Sequence, residues 1–243
     1  MLMGVSQALR AMLRKIGYDL VRHEPENHPD IRVRQLFKTF CINTVFDVGA
    51  NRGQYAHFLR NDIGYRGTII SFEPLSSAFM SLSEKAGKDP SWEAFNIALG
   101  DVQGEAEINI AGNSYSSSFL GMLPSHLKSA PDSKYCGKEV IEIKTLDSIF
   151  DSLCGKKNNI YMKIDTQGFE EKVLNGAQHS LHAIDTVQLE MSLVPLYEGE
   201  MIFNELYSLM SELGYSLAAI IPGFADKDSG QLLQVDGIFH RFK

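Results

Sequence analysis

The sequence predicts an α/β fold: a doubly wound, mostly parallel sheet of seven strands with helices on both faces and an antiparallel last strand. Three observations predict it. From residue 44 onward, short apolar runs alternate with helical patterns. The joining turns are short, as in βαβ units. The last two strand-like runs have no room for a helix between them.

Taken in order, TVFDV is a short apolar run and GQYAHFLRN is helical; GTIISF is β-rich and SSAFMSLSEKA is helical; WEAFNIAL is β-like again. Residues 104–146 interrupt the rhythm. EAEINI and EVIEIKTL alternate as strands do, and between them lies NSYSSSFLGMLPSHLKSAPDSKYCGK, long, polar and rich in Ser and Pro. Long loops in compact domains often act as lids. The rhythm returns with IYMKID, a helix near EEKVLNGA, the strand TVQLEMS and the helix FNELYSLMSELG. YSLAAII and QVDGIFHRF, separated by PGFADKDSGQLL, predict an antiparallel hairpin.

Residues 1–40 predict a helical extension ahead of a main domain at 41–243. Leu2, Val5, Leu9, Met12 and Ile16 recur at helical spacing beside Arg10, Arg14 and Lys15. Such a basic amphipathic helix packs on its own domain or makes weak contact with a membrane surface. Pro25 and Pro29 keep HEPENHPD non-helical.

The chain has 243 residues, 44% apolar and 22% charged, which is ordinary soluble globular composition. A net charge of −7 argues against nucleic acid as a partner, since phosphate binding needs clustered Lys and Arg. It leaves room for a small anionic ligand. No apolar run reaches the length of a transmembrane span. Cys41, Cys136 and Cys154 are odd in number and widely spaced, with no CxxC pair, so a reducing, cytoplasmic setting is expected. The oligomeric state is not encoded in any pattern here.

Four stretches carry the chemistry. In VFDVGANRGQ the chain leaves a buried strand, turns at Gly49 and enters a helix near Gly53. Ligands of open α/β sheets bind beyond the carboxyl ends of the strands, and a turn without Cβ atoms lets one approach the backbone. Asn51 tolerates a left-handed conformation, and Asp47 would face an ammonium or a water above it. The dinucleotide pattern GxGxxG fails, because Asn51 and Gln54 hold the second and third glycine positions, and no GK[ST] follows. In SFEP, Glu73 ends the next strand, where a carboxylate can accept from vicinal ribose hydroxyls; Pro74 opens the following helix. In FNIALGD, Ala98, Leu99 and Gly100 suit a flat ring lying on backbone, while Asp101 either accepts from an exocyclic amine or shapes a turn.

The fourth stretch is KIDTQGFE. On a strand, Lys163 and Asp165 point to one face, and a buried lysine needs an anionic partner. Glu190, ending VQLEMS, should lie beside Asp165. Two such carboxylates can share a proton, which raises one pKa toward that of a useful base, or hold a divalent cation. No HxH or HExxH spacing supports a transition metal. Glu170 and Glu171 suit a helix N-terminus. His57 reads as surface or packing, His126 as an alternative base, and Tyr115, Ser116, Ser117 and Ser118 as contacts to a polyol.

The series DVGANRG, FEP, NIALGD, TLD and KIDTQGFE is similar, over about residues 44–191, to the FkbM family of S-adenosylmethionine-dependent methyltransferases, and VDGIFHRF resembles that family's closing hairpin. The resemblance implies the seven-stranded, Rossmann-like methyltransferase sheet and S-adenosylmethionine as cofactor. It also implies O-methylation of a hydroxyl on a sugar, glycan or related metabolite. In that frame Asp47, Gly49, Asn51, Gly53, Glu73, Pro74, Ala98 and Asp101 would hold the cofactor, and Asp165, Lys163 and Glu190 would serve catalysis. Residues 1–40 and 111–138 fall outside it, which leaves the choice of acceptor to them. Two other readings compete. An NAD-type Rossmann oxidoreductase lacks its fingerprint and would not end in this hairpin. A non-catalytic member that binds a glycan or a partner has no need to combine Gly49, Glu73 and Asp165.

Overall fold

The computed structural model describes residues 2–154 and 159–242, with side chains from residue 7 onward. The chain forms two compact units, Met1–Phe40 and Cys41–Lys243. The first holds α1 (Leu2–Arg14) and α2 (Pro29–Thr39). Pro29 opens α2 rather than blocking it, because a first-turn residue has no helical N–H bond to lose. Arg10 and Arg14 both pair with Asp19, at 3.1 and 2.8 Å. Leu9, Met12 and Ile16 are exposed; the side chains of Leu2 and Val5 lie outside the described residues. No described helix is long and apolar enough to cross a membrane.

The second unit begins with β1 (Thr44–Val48), α3 (Gln54–Phe58, continued by a wider turn to Ile63), β2 (Thr68–Phe72), α4 (Ser76–Ala86) and β3 (Trp92–Phe95). Then come β4 (Ala98–Leu99), β5 (Gly104–Ala111), α5 (Pro124–Ser129), β6 (Tyr135–Lys144) and α6 (Leu146–Leu153). It closes with β7 (Ile160–Ile164), α7 (Glu170–Asn175), β8 (Ile184–Ser192), α8 (Phe203–Glu212), β9 (Ser216–Pro222) and β10 (Gln234–His240).

The main sheet has seven strands in the order β3-β2-β1-β7-β8-β10-β9. The pairings among β3, β2, β1, β7 and β8 are parallel, and β10 runs antiparallel to both of its neighbours, as the helix-free hairpin predicts. The interrupted rhythm at 104–146 has a cause that the strand pattern did not reveal. WEAFNIAL divides: its first half is the edge strand β3, while Ala98–Leu99 joins β6 and β5 in a separate three-stranded sheet. The polar loop also contains the short helix α5, and α6 follows where no helix was expected.

After β1 the chain builds outward through β2 and β3, and after the small sheet it returns to the other side of β1 with β7. Connections leaving the carboxyl ends of β1 and β7 therefore diverge and open a crevice between them. One face of the sheet is apolar. Phe46, Met162, Ile164, Val187 and Leu189 pack in one cluster with Phe150 of α6, Leu174 of α7 and Leu206 and Met210 of α8. On the other face, the register sets Ser71, Asp47, Lys163 and Gln188 side by side across β2, β1, β7 and β8. α3 covers this row: Tyr55 donates its hydroxyl to Gln188 Oε1 at 3.0 Å, and its ring lies 5.2 Å from Lys163 Nζ.

The bare turn after β1 answers first to the protein's own backbone. Gly49 has φ +79°, and a Cβ there would sit 1.9 Å from the carbonyl oxygen of Asp165. The N–H groups of Gly49 and Ala50 both donate to the carbonyl of Phe72, each at 3.0 Å. Gly53, at φ +80°, leaves its space to the ring of Trp92, which a Cβ would meet at 2.7 Å. The glycines thus allow three strand ends to close on one another. Gly49→Val should lower stability by more than about 2 kcal/mol, from overpacking and a strained φ. Urea unfolding would register this as a lowered midpoint without any ligand present.

Candidate active site

The crevice is an open cleft with a cavity volume of about 210 Å³. It runs along the carboxyl ends of the strands from Glu73, after β2, to Glu190, in β8. Three strand spacings separate these ends, roughly 14 Å.

At the first end, Glu73 is buried at 4% exposure and anchored twice. Its Oε2 accepts the N–H of Asn51 at 2.8 Å and its Oε1 the N–H of Leu75 at 2.9 Å. Each oxygen keeps a further lone pair. Burial raises the Glu73 pKa to about 7, against the lowering effect of these two bonds. Asn51 adopts the left-handed conformation that its type permits, φ 46°, which aims its N–H at Glu73. Its side chain donates to the carbonyl of Ser114 at 3.1 Å and so ties the polar loop to the turn. Pro74 and Ala98 line the cleft here, and Phe119 and Phe169 form an apolar wall with ring centroids 4.5 Å apart.

At the other end, Asp165 and Glu190 meet. Gln167 Nε2 donates to Asp165 Oδ1 at 2.8 Å and to Glu190 Oε2 at 2.5 Å, and Gln234 Nε2 adds a second bond to Glu190 Oε2 at 3.0 Å. The hydroxyl of Tyr197 holds Gln167 in this orientation by donating to Oε1 at 2.6 Å. Gln167 itself has φ 56°, followed by Gly168 at φ 93°. Glu170 stabilises that turn: its Oε1 accepts from Thr166 N at 2.8 Å, Thr166 Oγ1 at 3.1 Å and Gly168 N at 3.3 Å. Burial raises the Glu170 pKa to about 7.

Beneath the cleft, Lys163 Nζ lies 3.0 Å from Asp165 Oδ2 and 3.8 Å from Asp47 Oδ1. Burial works against the ammonium, yet Asp165 and Asp47 outweigh it and hold Lys163 charged, above the usual lysine range. Burial also opposes ionisation of Asp165, but Lys163 together with the amide of Gln167 holds that carboxyl below its usual range. Glu190 moves the other way. Burial, and then the charges of Asp165, Asp236 and Glu170, raise it well above the ordinary carboxylate range. The pair therefore divides into an anion, Asp165, and a carboxyl that keeps its proton, Glu190.

The structure thus brings Gly49, Asn51, Glu73, Pro74, Ala98, Asp165 and Glu190 to one cleft. It sets the other candidates elsewhere. Asp47 and Lys163 lie under the floor as an ion pair. Gly53 packs on Trp92, and Asp101 pairs with Lys172 at 3.4 Å. Ser114, Tyr115 and Ser117 line the cleft. Ser116 and Ser118 are buried, with Ser118 donating to the carbonyl of Gln167 at 2.7 Å. His126 is also buried, its Nε2 3.2 Å from Ser133 Oγ and its ring against Tyr197. Sequence reasoning missed Gln167, Tyr197, Gln234 and the two phenylalanines. Gln167 stood inside a quoted motif but carries no charge, and Tyr197 and Gln234 lie far along the chain from their partners.

A divalent cation does not fit this donor set. The Lys163 ammonium already lies against Asp165, and two amides engage one oxygen of Glu190. Among the described residues no group of three His, Cys, Asp or Glu is arranged to hold a metal. An adenosyl sulfonium compound fits better: Glu73 keeps lone pairs that suit a ribose diol, and Phe119 and Phe169 form a wall that suits a flat ring.

The family model for the methyltransferase FkbM domain matches residues 47–217. The chain belongs to the FkbM methyltransferase domain family. Among solved structures, it resembles the methyltransferase FkbM of Methylobacillus flagellatus KT, with 12% identity and a TM-score of 0.48, over 81% of this chain and 43% of that one. The chain therefore spans less than half the length of that protein. It also resembles the magnesium protoporphyrin IX methyltransferase of Synechocystis PCC 6803, solved with bound S-adenosylmethionine, at 10% identity and a TM-score of 0.45, covering 98% of this chain and 97% of that one. A SAM-dependent methyltransferase from Aquifex aeolicus aligns at 13% identity and a TM-score of 0.44, over 91% and 100% of the two chains. No curated protein sequence matches the chain.

Removing Lys163 tests the floor of this FkbM domain site. Lys163→Met would leave Asp165 and Asp47 as buried anions without a counter-charge, a loss of about 3–5 kcal/mol. With the ammonium gone, both carboxyls would have raised folded-state pKa values. Their stability is then kept at low pH and lost as pH rises, so the deficit should shrink as pH falls from 7.5 to 5. Urea midpoints of the two proteins at both pH values check this.

Proposed function

We propose that the chain is an S-adenosylmethionine-dependent O-methyltransferase acting on a hydroxyl of a sugar, glycan or related metabolite. The observation that carries the reading is one cleft, in an FkbM domain, with the buried, backbone-anchored Glu73 at one end and the Asp165–Glu190 pair at the other. The competing NAD-type reading is opposed by the turn after β1. The N–H groups of Gly49 and Ala50 go to Phe72, that of Asn51 to Glu73 and that of Arg52 to Asn51 Oδ1, so none of these amides is left for a pyrophosphate.

When bound, S-adenosylmethionine supplies a methyl carbon on a positively charged sulfur that leaves as a neutral thioether, keeping the electron pair of the broken carbon–sulfur bond. Glu73 accepts the ribose hydroxyls with the lone pairs its backbone anchors leave open. Asp165, kept ionised by Lys163, accepts a hydrogen bond from the acceptor hydroxyl and orients its oxygen for attack. When Glu190 is ionised it is the stronger base of the pair, so the hydroxyl turns its single O–H from Asp165 to Glu190, which takes that proton as the oxygen–carbon bond forms. Gln167 and Tyr197 hold the two carboxyl groups at that spacing.

Glu73→Ala removes hydrogen bonds to an ionised group, each worth about 1.5–3 kcal/mol, so calorimetry should show at least tenfold weaker binding of S-adenosylhomocysteine. Hydroxyl donors favour the ionised form of Glu73. Wild-type affinity should therefore weaken as pH falls through about 7. Unchanged affinity in Glu73→Ala would move the ribose site elsewhere.

Asp165→Asn should lower single-turnover methyl transfer by roughly 10²–10⁴-fold while leaving cofactor affinity nearly intact. In the wild type the rate should climb with pH above the ordinary carboxylate range as Glu190 ionises, and Glu190→Gln should flatten that climb. Wild-type turnover by Asp165→Asn would place the reacting hydroxyl away from this pair.

A further inference from the structure

The Asp165–Glu190 end of the cleft has a one-sided charge distribution. Among the described residues that line the cleft, none is Arg, Lys or His, whereas Glu73, Asp165 and Glu190 all face it. The ammonium of Lys163 lies beneath Asp165 and is engaged by Asp165 and Asp47. The other strong donors at this end are engaged as well. Both hydrogens of Gln167 Nε2 go to the two carboxyl groups, and Thr166 gives its N–H and its hydroxyl to Glu170. The backbone amides after β1 are turned inward onto Phe72 and Glu73.

A phosphate or carboxylate brought in here would shed its water and meet the Asp165 anion, with the single proton of Glu190 set against that repulsion. An anion buried without a partner is strongly disfavoured. A hydroxyl group meets the opposite situation. Asp165 offers lone pairs and Glu190 offers a proton, so one O–H can donate to the first and accept from the second.

We infer that the acceptor enters this cleft as an uncharged polyhydroxy group, with no phosphate or carboxylate beside the reacting hydroxyl. This rests on the methyltransferase reading above and narrows its substrate class. The selectivity arises from Asp165 covering the Lys163 ammonium, so uncovering that ammonium should reverse it.

The test pairs neutral methyl glycosides with the phosphate ester and the uronate of the same sugars, on the full chain at low salt. Release of S-adenosylhomocysteine from S-adenosylmethionine reads turnover. Saturation-transfer NMR on the S-adenosylhomocysteine complex reads binding, including that of sugars that do not turn over. The expected result is at least a tenfold preference for the uncharged member of each pair. In Asp165→Asn, read by binding, the preference should disappear or invert toward the anions. Equal or better use of a phosphate or a uronate overturns the inference, as does an absence of binding by every neutral glycoside. An unchanged preference in Asp165→Asn overturns it too. Calorimetry of S-adenosylmethionine and S-adenosylhomocysteine runs alongside; if neither binds, the methyltransferase reading itself falls, a result separate from any acceptor preference.

Discussion

The site depends on one buried ammonium. Lys163 stands on a central strand where the register sets it beside Asp47 of β1 and one pleat before Asp165. Each of these groups would be prohibitive to bury alone, and each is tolerated because of the others. Asp47 keeps one oxygen without a hydrogen bond, so its part in the trio is long-range attraction. The ammonium keeps Asp165 ionised at the mouth of the cleft, and that anion in turn helps keep the proton on Glu190. Charge at the surface of the site is set by a residue that scarcely reaches it.

Backbone geometry imposes the second constraint. The turn after β1 passes so close to the end of β7 that no side chain fits at Gly49, and its amides close onto β2. The same closure points the N–H of Asn51 at Glu73. Tight packing of three strand ends and orientation of the Glu73 carboxyl are therefore one arrangement. Burial of Glu73 follows from it, as does a pKa near 7 that makes the carboxyl responsive to what donates to it.

Much of this was legible in the sequence because parity and strand-end position are local properties. TVFDV and IYMKID are strands buried on both faces, so an acid or a lysine within them stands out, and two residues of separation put Lys163 and Asp165 on one face. Glu73 was legible from its place between a strand and Pro74. The final hairpin was legible because no helix fits its connection. Other features needed contacts far apart in the chain. The reason for Gly49 is the carbonyl of residue 165. Trp92 explains Gly53, and a residue near 197 orients Gln167. WEAFNIAL hid its division between two sheets because both halves are apolar, and α6 went unseen just after a stretch that had already broken the pattern. His126 looked available in a loop that instead folds into a helix and buries it.

The small sheet of β4, β6 and β5 sits between the two halves of the parallel sheet in chain order and has an apolar core of its own, including Ile108, Ile141 and Ile143. Through Ile108 and the following loop it also forms one wall of the cleft. The strand ends and that wall thus rest on two hydrophobic clusters, linked by Leu99 of β4 in the larger one and by Leu75 and Ala78 in the smaller. Substitutions in the wall can reshape what the cleft admits without disturbing the register that aligns Asp47 with Lys163. The molecule behaves as a fixed press with an exchangeable die.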